Sequence, residues 1–456
     1  MPTDFQFKLA VTLTEIEEIT SITDKQAKQA HELYLSLSKR PNFQLLPNEI
    51  KPHKLTDKSI EPISENFFKN PLRIKVLTEW VLKILPFLEM LSGVASLPIS
   101  RNEDDFEGFV RKMLGNYLTS IKLIYTTIPS HLNVLQSDDL INIDKLIEKI
   151  YFSIEEYFNG YPDKAYKELK IGIDTFLKEP GYLENVFSIE EDQKKYLYKM
   201  RVGSNHTYSS EEMFHIPYEK RGLVKTNRYS IPGLPCIYLG SSPLTCWEEL
   251  NKPDLNTVQT SLFISNKLAF LDISTPPAAI IDRLTLLFTF NCLSDMEKTY
   301  KELKSYIVML PLIATCSIRV KNANDQFKPE YIIPQLLLQW IRQSNYDGIC
   351  YFSTKIKKYG LSNIPFYRNY AFPVQERKAE GHCQTLRGKF DIITDAVPWQ
   401  MFQLYKGSPL VTPNTERTHT ELEFVDGMCL KYMNTDFGCL ETFLTNTLQH
   451  CKTINS

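Results

Sequence analysis

The sequence predicts an α+β protein: an N-terminal α-helical bundle followed by a mixed α/β half. A change of texture along the 456 residues carries that reading. Up to about residue 180, glycine is scarce and apolar side chains recur three to four apart between lysines and glutamates, the period of amphipathic helices. From about residue 190, short β-branched and aromatic runs alternate with helical stretches, as in a sheet covered by helices. A chain of this length exceeds what one core ordinarily serves. Three regions are expected: 1–180 helical, 190–375 α/β and 376–456 a C-terminal extension.

Each element follows from a local pattern. Residues 15–38, 72–91, 106–127 and 140–157 read as amphipathic helices. Residues 41–71 are proline-dotted and polar, a long connection between helices. Asn159-Gly-Tyr-Pro162 makes a turn before a last helix, 165–177, which Glu179-Pro-Gly181 ends. Further on, 261–264, 267–272, 314–320 and 348–352 read as strands and 334–343 as a helix. One or two helices are expected around 276–310. The polar tail beyond Pro373 closes on a helix at 440–451.

Composition removes several function classes. A hydrophobic fraction of 43% and a charged fraction of 23% are those of an ordinary globular protein. A net charge of −2 supplies no basic field for nucleic acid, and no basic, aromatic-rich stripe is present. Met1-Pro-Thr-Asp-Phe-Gln-Phe-Lys8 lacks a basic-then-apolar signal pattern. No uncharged apolar run reaches the roughly 18–20 residues that span a bilayer; the stretch 307–318 is broken by Pro311 and reads as buried strand or helix. All nine cysteines follow residue 235 without a Cys-x-x-Cys pair, and eight histidines give no His-x-x-x-His pair. A cytosolic, metal-free protein is the expectation.

Function is concentrated in residues 226–249. Arg228 stands just before a Pro-Gly turn, Pro232-Gly233. A short apolar strand then carries Tyr238, and a small-residue turn, Gly240-Ser-Ser-Pro243, opens a helix bearing Glu249. Arginine, tyrosine and glutamate, ten and eleven residues apart, can thus converge across one strand–turn–helix unit. Further on, Asn345-Tyr-Asp-Gly-Ile-Cys-Tyr-Phe-Ser353 is a turn and a buried strand that delivers Ser353, with Thr354 as its competitor. Upstream, Tyr196-Leu-Tyr-Lys-Met-Arg-Val202 is a strand carrying Arg201. Downstream, Asn369-Tyr-Ala-Phe-Pro373 is a closing strand.

These four segments, in this order and over roughly residues 190–375, resemble the RES domain family, whose name lists Arg, Glu and Ser. One departure is Lys199, where a second arginine is commoner. The resemblance implies an ADP-ribosyltransferase-like split sheet and an enzyme that consumes NAD, the only cofactor expected and itself a substrate. It also implies a toxin-like effector, of a toxin–antitoxin or anti-phage kind. The helical half is then expected to mediate oligomerisation or to recognise an antitoxin or trigger protein. The rival from another class is a module on the same fold that binds a nucleotide or a protein without turnover.

The chemistry gives each residue a task. Cleaving the nicotinamide–ribose bond of NAD passes through an oxocarbenium-like state. A site for it needs a planar cation for phosphates, an aromatic face for nicotinamide and a carboxylate near developing positive charge. The catalytic set is Glu249, Arg228 and Tyr238; Arg201, Arg228, Tyr238 and Ser353 are the NAD-binding set. Glu248 and Glu249 could equally stabilise the helix dipole, but the eleven-residue spacing from Tyr238 selects Glu249. His215 could touch substrate, although a structural histidine beside Pro217 is the commoner case; Tyr218 and Lys225 are weaker candidates. In the helical half, His131 has no arginine before it at a ribonuclease-like spacing, so a cut near Pro180 is expected to leave all chemistry in the C-terminal part.

Overall fold

The computed structural model describes part of 83–91 and, apart from short interruptions, 97–184, 194–289, 296–405 and 420–454. The expected helix 15–38, the connection 41–71 and the start of 72–91 lie outside the described residues; what is described of 83–91 is helical.

The helical half contains α1 (Phe106–Thr127), α2 (Ser137–Phe158) and α3 (Pro162–Ile173). Their starts follow from capping chemistry. Asp105 accepts the N–H of Gly108 at 2.9 Å. Asp139 accepts the N–H of Gln136 at 2.7 Å, which closes a capping box on α2. Each helix buries one apolar stripe, such as Val110, Leu114, Tyr117 and Ile121 on α1.

The second half is built on a sheet. Its elements in chain order are β1 (Lys195–Val202), β2 (Cys236–Gly240), α4 (Pro243–Glu249), β3 (Val258–Ser265), β4 (Phe270–Ile273), α5 (Pro277–Thr289), α6 (Met296–Cys316), α7 (Ile332–Gln343), β5 (Gly348–Phe352) and β6 (Arg368–Pro373). Two-residue strands β7 (Ile392–Ile393) and β8 (Val397–Pro398) follow, then α8 (Trp399–Tyr405), a hairpin of β9 (Glu421–Val425) and β10 (Met428–Lys431), and α9 (Asp436–Ile454). The sheet order is β4-β5-β6-β2-β1-β3-β7, with β8 also on β3. Only the β4–β5 pair is parallel. The β1–β2 junction is a single register pair, Tyr198↔Gly240, whereas β1–β3 pairs over eight. The sheet therefore opens between β1 and β2, the split that the resemblance implies.

The fold class is α+β as expected, with α5 and α6 filling the insertion around 276–310. The stretch 314–320 is not a strand: Ala314, Thr315 and Cys316 are the end of α6, and no strand follows before α7. An apolar run carries no period that separates a strand from a buried helix end. The hairpin β9–β10 was not foreseen in the polar tail. Among the described residues no helix is long and apolar enough to cross a membrane.

One hydrophobic cluster runs through both halves, from Leu114 and Leu146 to Ile307, Leu337 and Ile349. Across a small apolar cavity, Leu114 and Tyr117 face Leu310, Pro311 and Ala314. Polar contacts cross the same boundary. The Tyr117 hydroxyl donates to Ile307 O at 2.6 Å, the Tyr166 hydroxyl to Gln343 Oε1 at 2.7 Å and Trp340 Nε1 to Asp174 Oδ1 at 2.9 Å. The helical half is thus a wall of the common core.

Candidate active site

The site assembles at one end of the β5–β6–β2 half-sheet. Gly240 ends β2, and a Cβ there would lie 2.8 Å from Cys246 Sγ and 3.2 Å from Ser242 O. Glycine therefore lets α4 begin directly against the strand. Ser242 caps that helix: its Oγ accepts the N–H of Thr245 at 3.1 Å and donates to Phe366 O at 2.8 Å. Pro243 stands in the first turn, where its missing N–H is no loss. Two turns later the helix ends on Glu249, followed by Asn251 and Lys252 at φ 63° and 55°.

This turn brings the Glu249 carboxylate to the sheet. Its Oε1 accepts from Ser353 Oγ at 2.6 Å and from Asn369 Nδ2 at 2.7 Å. Three elements meet there: the end of α4, the residue after β5 and the second residue of β6. The β5–β6 register, with Tyr351 opposite Asn369, sets the meeting. Lys355 closes the corner by donating to the carbonyls of Glu248 and Glu249 at 3.0 and 2.7 Å and to Asn251 Oδ1 at 2.7 Å. Its ammonium is 3.8 Å from Glu249 Oε2. Burial lowers the Lys355 pKa, opposed by the two neighbouring glutamates. Glu248 pairs instead with Lys252 at 3.0 Å.

Arg228 approaches from the loop before β2 and is nearly buried. Its Nη1 donates to Cys316 O at 3.1 Å and its Nη2 to Thr354 Oγ1 at 3.3 Å. The guanidinium carbon lies 5.2 Å from the ring centre of Tyr331, a cation–π distance. Adjacent residues link the arginine to the glutamate, Thr354 accepting from Arg228 and Ser353 donating to Glu249, while Tyr331 covers the guanidinium and Tyr351 lies opposite Asn369 in the sheet. Both phenols are pushed up, first by burial, and in both Glu249 adds to the rise while Arg228 opposes it. Tyr351 also packs on Tyr229 with ring centres 4.3 Å apart.

Of the residues expected from sequence, Arg228, Glu249 and Ser353 lie in this cluster, with Thr354 on Arg228. Tyr238 stands beside it; its hydroxyl donates to Tyr229 O at 2.7 Å, and burial pushes its pKa well up. Arg201 is not brought to the cluster by any contact among the described residues. It is exposed on β1, where it donates to Glu212 O at 2.9 Å and covers the Tyr208 ring at 4.3 Å. Lys199, on the same face of β1, is less exposed: its ammonium donates to Phe214 O, and desolvation lowers its pKa to about 8. Tyr218 donates to Glu376 O at 2.6 Å, while Lys225 is exposed.

Asn369, Lys355, Tyr331 and Tyr351 were not singled out from sequence. For Asn369 a signal existed, since it opens the closing strand. Its hydrogen-bond partner Glu249 lies 120 residues away, and its place opposite Tyr351 becomes visible only through sheet register.

His215 is a structural histidine. It is 2% exposed; Nδ1 lies 2.7 Å from Ile216 O, and Nε2 accepts the N–H of Cys383 at 2.8 Å. Both contacts are satisfied only by the neutral ring with its proton on Nδ1. Burial lowers its pKa from 6.5 to about 4. The fold binds no proton there between those values while the unfolded chain does. Stability is therefore full above about pH 6.5 and is lost as pH falls towards about 4, by up to about 3 kcal/mol. Urea unfolding at pH 7.5 and pH 5 should show this fall, and His215→Gln should flatten it. An equal acid response in the variant would assign the effect to other groups.

The model of the RES domain family matches residues 199–384, the span that holds this cluster. A protein of Bacillus subtilis (strain 168) named "Putative toxin YopC" is 36% identical over 449 residues, covering 94% of this chain and 95% of that protein. The chain belongs to the RES domain family. No solved structure matches it. The similarity to the Bacillus protein extends beyond the RES match over nearly the full length of both chains.

Proposed function

We propose that this RES domain protein cleaves the nicotinamide–ribose bond of NAD and acts as a toxin-like effector. One observation carries the reading: a partly exposed carboxylate, Glu249, is oriented by Ser353 and Asn369, and the residue next to Ser353, Thr354, accepts from a nearly buried arginine, Arg228. The toxin-named relative supports the effector role. In this reading Glu249 stabilises positive charge on the ribose as nicotinamide departs with the bonding electron pair. Ser353 and Asn369 hold the carboxylate in one orientation, and either can turn to a ribose hydroxyl. Described residues use two of the five Arg228 donors, which leaves the rest of the fork for the pyrophosphate. The rings of Tyr331, Tyr351 and Tyr238 supply the nicotinamide face. Arg201 lies farther out and is proposed to meet only the distal part of NAD. Water, phosphate or a protein side chain then captures the ribose.

The test is incubation of pure protein with NAD while free nicotinamide is followed, with mass spectrometry to name the ADP-ribose acceptor. Binding of NAD without nicotinamide release would return the protein to the class of nucleotide-binding modules. Arg228→Lys keeps a charge and loses the planar fork, so apparent NAD affinity should weaken by about tenfold or more with a smaller change in turnover. Calorimetric titration checks it, and unchanged affinity would place Arg228 outside the site.

A further inference from the structure

The contacts between the helical half and the rest of the chain are not spread evenly. A polar set gathers on residues 99–104, just before α1, and reaches the segment between α6 and α7. Ile99 O accepts the N–H of Arg319 at 2.8 Å. Arg101 donates through Nε at 3.3 Å and Nη2 at 2.7 Å to Glu330 Oε1, and through Nη1 to the carbonyls of Glu103 and Asp104. Glu330 Oε1 also accepts the N–H of Lys321 at 3.2 Å. The two side chains are 5% and 1% exposed. A charge pair this deeply buried contributes little net stability over a well-packed apolar pair, but it demands one geometry.

The segment it grips encloses Arg228. Cys316 O accepts from Arg228 at 3.1 Å, Gln335 Nε2 donates to Asn227 O at 3.1 Å, and the Tyr331 ring covers the guanidinium. Arg319 Nη2 donates at 2.6 Å to Ile356 O, in the turn that carries Ser353, Thr354 and Lys355. Glu330 and Tyr331 are neighbours in one 3-10 turn, Pro329–Tyr331. The carboxylate held by Arg101 and the ring held over Arg228 therefore share one stretch of backbone and cannot shift independently.

We propose that Arg101 and Glu330 are positioning residues, through which the helical half fixes Tyr331 and hence the Arg228 fork. Neither touches the reacting atoms. The proposal rests on the reading of Arg228 as the group that grips the NAD pyrophosphate. In full-length protein, Arg101→Lys keeps the charge but loses the two-nitrogen grip, and Tyr331→Leu removes the ring. Each should raise KM for NAD about tenfold with kcat within about twofold, the pattern of lost binding common to ground and transition states. Tyr331→Phe retains the ring and should stay near wild type. Because Arg101 acts through the placement of Tyr331, the double variant Arg101→Lys/Tyr331→Leu should be no worse than the poorer single one.

Hydrogen–deuterium exchange gives a second readout that needs no substrate: Arg101→Lys should speed exchange in peptides covering 226–231 and 353–357. A variant whose melting temperature falls while KM and exchange at those peptides stay unchanged would make the pair a plain structural bridge. Additive losses in the double variant would likewise overturn the coupling. If the wild-type protein cleaves no NAD, the functional reading falls, and the exchange measurement still decides whether Arg101 positions the Arg228 loop.

Discussion

Glu249→Gln is expected to leave a folded protein whose NAD cleavage is down by about 10²-fold or more, the scale of a removed electrostatic stabiliser. Glutamine retains an oxygen that can accept from Ser353 and Asn369, the two groups that hold the glutamate. What disappears is the negative charge opposite the developing oxocarbenium. Glu248→Gln is the internal control. That side chain pairs with Lys252, whose side chain is 54% exposed. Glu248 itself is 15% exposed, but the solvated lysine screens the pair, which contributes about 1 kcal/mol. Nicotinamide release by the two variants, beside their melting curves, checks both statements. Full activity in Glu249→Gln, with loss in Glu248→Gln, would reverse the assignment of the two carboxylates.

What could be read in advance follows from the range over which each signal acts. The strand–turn–helix unit from Tyr238 to Glu249 is local: a strand, a glycine, a serine cap and a proline set the helix start, and residue count then sets which side chain ends it. Amphipathic period likewise shows α1 and α2 in the sequence. The stretch 314–320 misled because an apolar run without period is compatible with either state; here it begins inside α6, downstream of Pro311. Non-local partners left no such trace. Lys355 reaches the end of α4 across 104 to 107 residues, and Arg101 reaches Glu330 across 229. Arg201 shows the limit of a local signal: its position in the opening strand is legible, but alternation along β1 does not say how deeply each cation of that face sits, and Lys199 is the less exposed of the two.

Separating the halves should have the largest effect on the protein as a whole. From the motif positions alone, a cut near Pro180 leaves an active C-terminal part. The shared core argues that this part does not persist by itself. Leu310, Pro311 and Ala314 meet Leu114 and Tyr117, and Trp340 and Gln343 lose hydrogen-bond partners on the other side of the cut. Exposing even four large apolar side chains, at about 1.5–3 kcal/mol each, removes about 6–12 kcal/mol. That matches the whole stability of an ordinary domain, about 5–15 kcal/mol. The buried pair Arg101–Glu330 is broken as well, which leaves Glu330 as an uncompensated carboxylate beside the Arg228 loop. A fragment beginning at residue 190 should therefore aggregate or melt without cooperativity, whereas co-expression with residues 1–189 should return a soluble complex that elutes like the intact chain. A monomeric fragment with a cooperative melt near that of the whole protein would show that the helical half is dispensable for the fold, and that its contacts with α6 and α7 carry far less energy than their burial implies.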